Sequence, residues 1–205
     1  MKILTPLISG ATVATLAFAA PAFAKVATGA SVSDMSVVDS NGVTHNLSDF
    51  AGKRVVLEWT NEGCPYVKKH YDTDNMQALQ RDAAADDTVW LSVISSADGK
   101  QGYKTGEQVA EWSDAHKVAS TAVILDADGE MGQAFSARTT PHMYIIDEDQ
   151  TLVYQGAIDD NSSSNPATVE GATNYVRQAL AEMDAGQAVT VAETQPYGCS
   201  VKYAS

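Results

Sequence analysis

The stretch from Arg54 to Trp59 carries Val55, Val56 and Leu57 in succession and reads as a β-strand buried on both faces. Such a strand needs a packed layer on each side, so the chain is committed to helices flanking a sheet. Val89–Ser95 and Ala122–Leu125 are two more strands of this kind. Apolar residues recur at helical spacing after Asp74 or Asn75 (Met76, Leu79, Ala83), over Glu107–His116 (Val109, Trp112) and over Ala172–Met183 (Val176, Ala179, Leu180, Met183). Asn41-Gly42, between Met35–Asp39 and Val43–Asn46, predicts an N-terminal hairpin on a two-residue type I′ turn. Ser48 is expected to cap a short turn running to Gly52. Met143–Asp147 and Thr151–Gln155 predict a closing hairpin, and residues 160–168 a polar loop. The fold class is α/β, with a mixed central sheet.

Residues 1–24, MKILTPLISGATVATLAFAAPAFA, have a basic start, an apolar run and small residues at Ala22 and Ala24. That is the pattern of a secretory signal peptide cut before Lys25, which predicts a periplasmic or otherwise secreted protein. Thr5, Ser9, Thr12 and Pro21 interrupt the run, so stable membrane insertion after cleavage is not expected. Residues 25–205 then form a single domain, of which 162–205 is a C-terminal extension. Twenty-six acidic residues against 13 basic ones give a net charge of −13, which argues against a nucleic-acid partner. Two cysteines exclude a Cys₄ zinc site and a disulfide scaffold, but they suffice for one bridge or one reactive pair. Asp126–Gly129 lacks the downstream ligands of a calcium loop, and Cys64 with His70 offers too few soft ligands for a selective metal site. No phosphate-binding glycine loop, haem motif or Ser/His/Asp arrangement is present, so neither a metal nor a cofactor is expected.

Cys64 stands where the central strand gives way to a helix opened by Pro65. Unpaired N–H groups and the positive end of the helix dipole favour a thiolate there, and the thiolate is the nucleophile. Cys199, 135 residues further on, is the only other thiol. It either resolves an adduct formed on Cys64 or closes a permanent staple that ties the tail down. Glu58 is an acid within an apolar strand, where burial raises a carboxyl pKa toward the range useful for proton transfer.

Cys64-Pro65-Tyr66-Val67 resembles a thioredoxin or glutaredoxin CPYC motif with Val67 in place of the second cysteine, and Thr140-Pro141-His142 resembles the cis-proline segment that faces it. With GCPYVKKHY, NMQALQ, SSADGKQGY, ARTTPHMYIID, LVYQGAIDDN and TQPYGCSVKY in order, the chain resembles the bacterial peroxiredoxin-like, redoxin-type proteins. The resemblance implies a thioredoxin-like fold with an N-terminal hairpin and a C-terminal extension. It implies a thiol oxidoreductase acting on a peroxide or a disulfide and re-reduced by an external dithiol donor. Catalytic roles are implied for Cys64, Cys199, Glu58, Thr60 and Arg138, and substrate-binding roles for Pro65, Tyr66, Thr140, Pro141 and His142. The peroxiredoxin pattern P-x-x-x-[TS]-x-x-C is not reproduced: Leu57 and Asn61 occupy its first two positions, and Thr60 is one residue out of register. The alternative is a non-catalytic periplasmic binding or scaffold protein with a structural Cys64–Cys199 disulfide.

Overall fold

A computed structural model describes residues 25–32 and 34–204. The signal-peptide reading of residues 1–24 lies outside them. Strands β1 (Ser36–Val38) and β2 (Thr44–Asn46) form the N-terminal hairpin. They are followed by β3 (Val55–Trp59), α1 (Pro65–Asp72), α2 (Asn75–Ala85), β4 (Val89–Ile94), α3 (Gly106–His116) and β5 (Ala122–Leu125). Next come α4 (Glu130–Ala134), β6 (Thr139–Thr140), β7 (His142–Ile146), β8 (Leu152–Gly156), α5 (Tyr175–Asp184) and β9 (Cys199–Ser200). The main sheet runs β5-β4-β3-β7-β8. β3, β4 and β5 are parallel, β7 is antiparallel to β3 and β8 antiparallel to β7, so the sheet is mixed and β3 lies at its centre.

Strand periodicity divides the core. Val55, Leu57 and Trp59 point to one face, with Leu91, Phe135, Tyr144 and the N-terminal hairpin. Val56 points to the other, packed with Val67 and Tyr71 of α1, Met76 and Leu79 of α2, Trp112 of α3 and Val176 of α5. Glu58 falls on this second face and is fully buried. Its carboxylate accepts from Tyr71 Oη at 2.9 Å, Gln80 Nε2 at 3.0 Å, Trp90 Nε1 at 2.9 Å and Ser92 Oγ at 3.1 Å. One side chain thus binds α1, α2 and β4 to the central strand. Burial raises its pKa despite the four donors, and burial followed by the Glu58 charge holds the Tyr71 phenol well above the ordinary value.

Three local expectations are corrected. The N-terminal hairpin does not turn on a type I′ pair: Gly42 N–H closes on Asp39 O at 3.0 Å, and Gly42, not Asn41, takes a positive φ. Asp39 imposes this wider loop, because its carboxylate accepts from Asn41 N–H (2.8 Å) and Val43 N–H (2.9 Å). The following turn is a 3₁₀ helix over Leu47–Phe50 capped by Asn46, not Ser48; Asp49 reaches back to the Asn46 N–H at 3.1 Å. Helix α5 starts at Tyr175, three residues later than its apolar spacing suggests, since Asn174 Oδ1 takes the Arg177 N–H at 2.9 Å and fixes the N-terminus.

Replacing Glu58 with Leu leaves buried donors on three elements without an acceptor. Urea unfolding is expected to show a loss of more than about 2 kcal/mol, the scale of unmet buried hydrogen bonds. A stability equal to that of the parent protein would remove Glu58 from the centre of this face.

Candidate functional site

The chain passes from β3 to α1 through Thr60–Cys64, and Asn61 shapes that turn. Its Oδ1 accepts Gly63 N–H at 3.0 Å, and its carbonyl accepts Cys64 N–H at 2.9 Å. Its amide exchanges hydrogen bonds with Gln101, both at 3.0 Å. The exchange needs space that only glycine leaves. A Cβ on Gly63 would lie 1.9 Å from Gln101 Nε2, and one on Gly102, whose φ is +93°, 2.4 Å from Asn61 Nδ2. Glu62 and Lys104 pair at 2.5 Å across the same turn.

Cys64 is the N-cap of α1, with Pro65 at the first helical position, and is 1% exposed. The Thr140–Pro141 peptide is cis. Cys64 Sγ donates to the Thr140 carbonyl at 3.1 Å. Cys199 lies across from Thr140: β9 pairs antiparallel with β6 in the register Thr139↔Ser200, Thr140↔Cys199. Gly198 makes this approach feasible. Its φ is +133°, and a Cβ there would sit 2.1 Å from the Thr140 carbonyl oxygen.

Both cysteines are free thiols, and they titrate in opposite directions. Burial works against the Cys64 thiolate. The Cys199 thiol and backbone, the Val67 N–H and the Thr140 side chain outweigh it by hydrogen bonding, and they hold the Cys64 pKa below the ordinary value. Burial, the hydrogen bond to Cys64 and the Cys64 charge push Cys199 up to about 11.

The tail that carries Cys199 is fastened on both sides of it. Upstream, residues 192–194 run along β8 (Gln155 N–H to Ala192 O, 3.0 Å; Thr194 N–H to Gln155 O, 3.1 Å), and Thr194 Oγ1 meets Tyr154 Oη at 2.7 Å. Downstream, Val201 N–H donates to Arg138 O at 3.0 Å, Ala97 N–H to Lys202 O at 2.9 Å and Tyr203 Oη to Ala137 O at 2.8 Å. Between them, Tyr197 packs edge-on against Tyr66 of α1, at 5.9 Å between ring centres. The Tyr197 hydroxyl donates to Asp159 and meets Lys69 Nζ and His70 Nε2, each at 3.3 Å. Lys69 is fully buried; it donates to the carbonyls of Asn161 (2.7 Å) and Ser163 (3.0 Å) and pairs with Asp159 at 3.4 Å. His70 Nδ1 takes the Asn75 amide at 2.8 Å, and burial followed by the Lys69 charge lowers its pKa to about 3, so the ring is neutral.

The residues singled out from the sequence divide into two groups. Cys64, Pro65, Tyr66, Thr140, Pro141 and Cys199 gather on one side of the cis-proline segment. Thr60 is buried beside them in sequence, and its hydroxyl has no hydrogen-bond partner among the described residues. Glu58 spends its hydrogen bonds on Tyr71, Gln80, Trp90 and Ser92, and none joins it to Cys64 among the described residues. Arg138 and His142 line a separate cleft behind the cis-proline. Sequence reasoning passed over Gln101 and Tyr197, and it gave Asn61, Asp159 and Gly198 no part in holding the two cysteines in place. Only Gly198, immediately before the second cysteine, left a signal that points to a close approach.

Two free cysteines thus lie beside the cis-proline segment of a mixed sheet flanked by helices, the architecture of a thioredoxin-like fold. The chain belongs to the Redoxin family, whose profile matches residues 19–174; the segment carrying Cys199 lies beyond the match. A hypothetical protein from Sinorhizobium meliloti shares the fold at a TM-score of 0.75 and 21% identity, over 88% of this chain and 97% of that one. An uncharacterized conserved protein from Geobacillus kaustophilus matches at a TM-score of 0.75 and 22% identity, over 87% and 93%. The thioredoxin domain of a thiol-disulfide oxidoreductase from Bacteroides vulgatus matches at 0.50 and 19%, over 71% and 97%. No curated protein sequence matches the chain. Family membership supports a thiol-based redox role of the oxidoreductase type. None of the described helices is long and apolar enough to cross a membrane.

Gly198→Ala is expected to lift β9 from β6 and uncover Cys64. Strain of about 1–3 kcal/mol at such a backbone position corresponds to roughly tenfold faster alkylation of Cys64 by iodoacetamide. An unchanged rate would show that the β6–β9 pairing does not cover the thiol.

Proposed function

We propose that the protein is a secreted two-cysteine oxidoreductase in which Cys64 reduces a small hydroperoxide and Cys199 closes an intramolecular disulfide. The observation that carries this reading is a reduced pair already in contact, with the lower-pKa thiol buried beneath the tail. A folded protein disulfide has no path to a sulfur so covered, whereas a peroxide of a few atoms needs little room. In this scheme the Cys64 thiolate attacks the O–O bond, giving a sulfenic acid and, after protonation, an alcohol or water. The Cys199 sulfur then displaces the sulfenic oxygen, forming the disulfide and releasing water.

The electrostatics support that order. Cys199 is held protonated partly by the hydrogen bond to Cys64 and the Cys64 charge. Conversion of the thiolate to a neutral sulfenic acid removes that charge and eases deprotonation of Cys199, making it the better nucleophile at that stage. For re-reduction, an external dithiol attacks Cys199, the less buried of the two cysteines, and Cys64, with the lower pKa, departs. Thr60 is assigned to the peroxide or sulfenate oxygen because its buried hydroxyl is otherwise unpartnered. Glu58 enters as a positioning residue, fixing α1 through Tyr71. The secreted location rests on residues 1–24, and residues 25–205 are read as one domain with an extension at 162–205.

Rapid mixing of the reduced protein with hydrogen peroxide, followed by tryptophan fluorescence and a thiol count, tests the scheme. It predicts loss of two thiols per peroxide, no reaction in Cys64→Ser, and a sulfenic acid trapped by dimedone in Cys199→Ser. A rate no faster than that of a free thiol would reject the peroxide step.

The pH dependence is a second check. The rate should rise through an ionisation below that of an ordinary thiol. Removing the Cys199 donor stabilises the Cys64 thiolate less, so Cys199→Ala, which leaves no donor at this position, should move that midpoint upward. A midpoint that does not move, or falls, contradicts the assigned hydrogen bond.

Thr60→Val removes a hydroxyl with no protein partner, so stability should hold or rise slightly. The peroxide step should slow by about tenfold or more if the hydroxyl serves the reacting oxygen, a loss on the scale of one hydrogen bond. An unaltered rate removes Thr60 from the reaction.

A further inference from the structure

The cis-proline segment has a second side. His142, directly after Pro141, is 4% exposed, and its Nδ1 accepts the Arg138 N–H at 3.3 Å and lies 3.0 Å from Tyr144 Oη. The backbone N–H can only donate, so Nδ1 carries no proton and the neutral ring is protonated at Nε2. Burial, followed by the Arg138 charge, lowers the His142 pKa to about 3, which keeps the ring neutral at ordinary pH. Nothing among the described residues accepts from Nε2. Arg138 is exposed, and its guanidinium has no hydrogen-bond or ion-pair partner among the described residues. The other three arginines all meet acids: Arg54 meets Glu148 and Asp184, Arg81 meets Asp74, and Arg177 meets Asp82. In a chain with twice as many acids as bases, Arg138 has no carboxylate within ion-pair distance among the described residues. Both side chains line an open cleft of about 580 Å³, with Lys25, Ser136, Glu193 and Pro196 on its other walls.

We propose that this cleft binds a small organic molecule by its carboxylate, held by the Arg138 guanidinium and the His142 Nε2–H. The guanidinium fork matches a planar carboxylate, and the neutral imidazole supplies a third fixed donor at lower desolvation cost than a charged one. A cleft of this volume also has room for the body of such a molecule. Glu193 selects against a phosphate dianion. Hydrogen bonds from Thr28 and Gln155 hold its carboxyl below the ordinary range, so a negative charge also lines the cleft. A singly charged carboxylate meets less of that repulsion. This inference does not depend on the reaction at Cys64.

The test is an NMR titration of the Arg138 Nε–H and His142 Nε2 resonances in the purified protein at neutral pH and fixed ionic strength. The probes are acetate, benzoate and inorganic phosphate. Saturable shifts of both resonances with the two carboxylates are expected, with phosphate at least tenfold weaker. Arg138→Gln should weaken benzoate at least tenfold with far-UV circular dichroism unchanged, since the exposed guanidinium holds no protein partner whose loss would unfold the chain. Absence of saturation, phosphate binding as tight as benzoate, or undiminished benzoate binding in Arg138→Gln would each overturn the proposal.

Discussion

The arrangement depends on two residues of antiparallel pairing, Thr139–Thr140 with Cys199–Ser200. This short ladder brings together two thiols that are 135 positions apart in the chain. The Thr140 carbonyl accepts from Cys64, and Gly198, where a Cβ would collide with that carbonyl, permits the tail to lie against it. A ladder of two residues is weak by itself. It holds because the chain is tied down before it at Thr194 and Tyr197, and after it at Val201, Lys202 and Tyr203. Cys199 therefore sits on a fastened strap, and closing a disulfide requires little of the conformational search that a free tail would need.

The buried charges beneath the strap follow the same logic. Lys69, Asp159, Tyr197 and His70 form one connected set in which the cation is met by an acid and two carbonyls, while the histidine stays neutral. Buried ion pairs are weak sources of net stability, but breaking one leaves an uncompensated charge at high cost. Such a set specifies position more than it adds energy. Here it fixes Tyr197, two residues before Cys199, against the helix that Cys64 caps. The two thiols are thereby referred to one rigid element, α1.

Much of this was legible from local pattern. The apolar run at Val55–Leu57 gave the centre of the sheet, the Cys64-Pro65 junction gave the N-cap, and the six sequence blocks pointed to the thioredoxin-like fold. What escaped has a common physical cause. The strands β6 and β9 are two residues long, too short to show periodicity, and their existence depends on a partner far away in sequence. Tyr197, Asp159 and Lys69 are polar residues whose burial is tolerated only because they meet each other, and no single one of them announces that. The hairpin at Asn41-Gly42 failed differently: a strong local turn preference lost to the Asp39 carboxylate, which satisfies two backbone N–H groups in a wider loop.

The cis-proline segment also explains why Arg138 and His142 part from the site that the sequence assigned them to. The chain crosses from one face of the segment to the other between Thr140 and His142, so residues two positions apart serve different spaces. Thr140 turns its carbonyl toward Cys64, while His142 takes the Arg138 N–H and lines the cleft. The Arg138 carbonyl is engaged by Val201, immediately beyond β9. One peptide segment thus forms the rear wall of the thiol pair and the front wall of a polar cleft. A displacement of the strap at Val201 bears directly on the backbone from which Arg138 projects, so the two spaces share a mechanical boundary although they share no side chain.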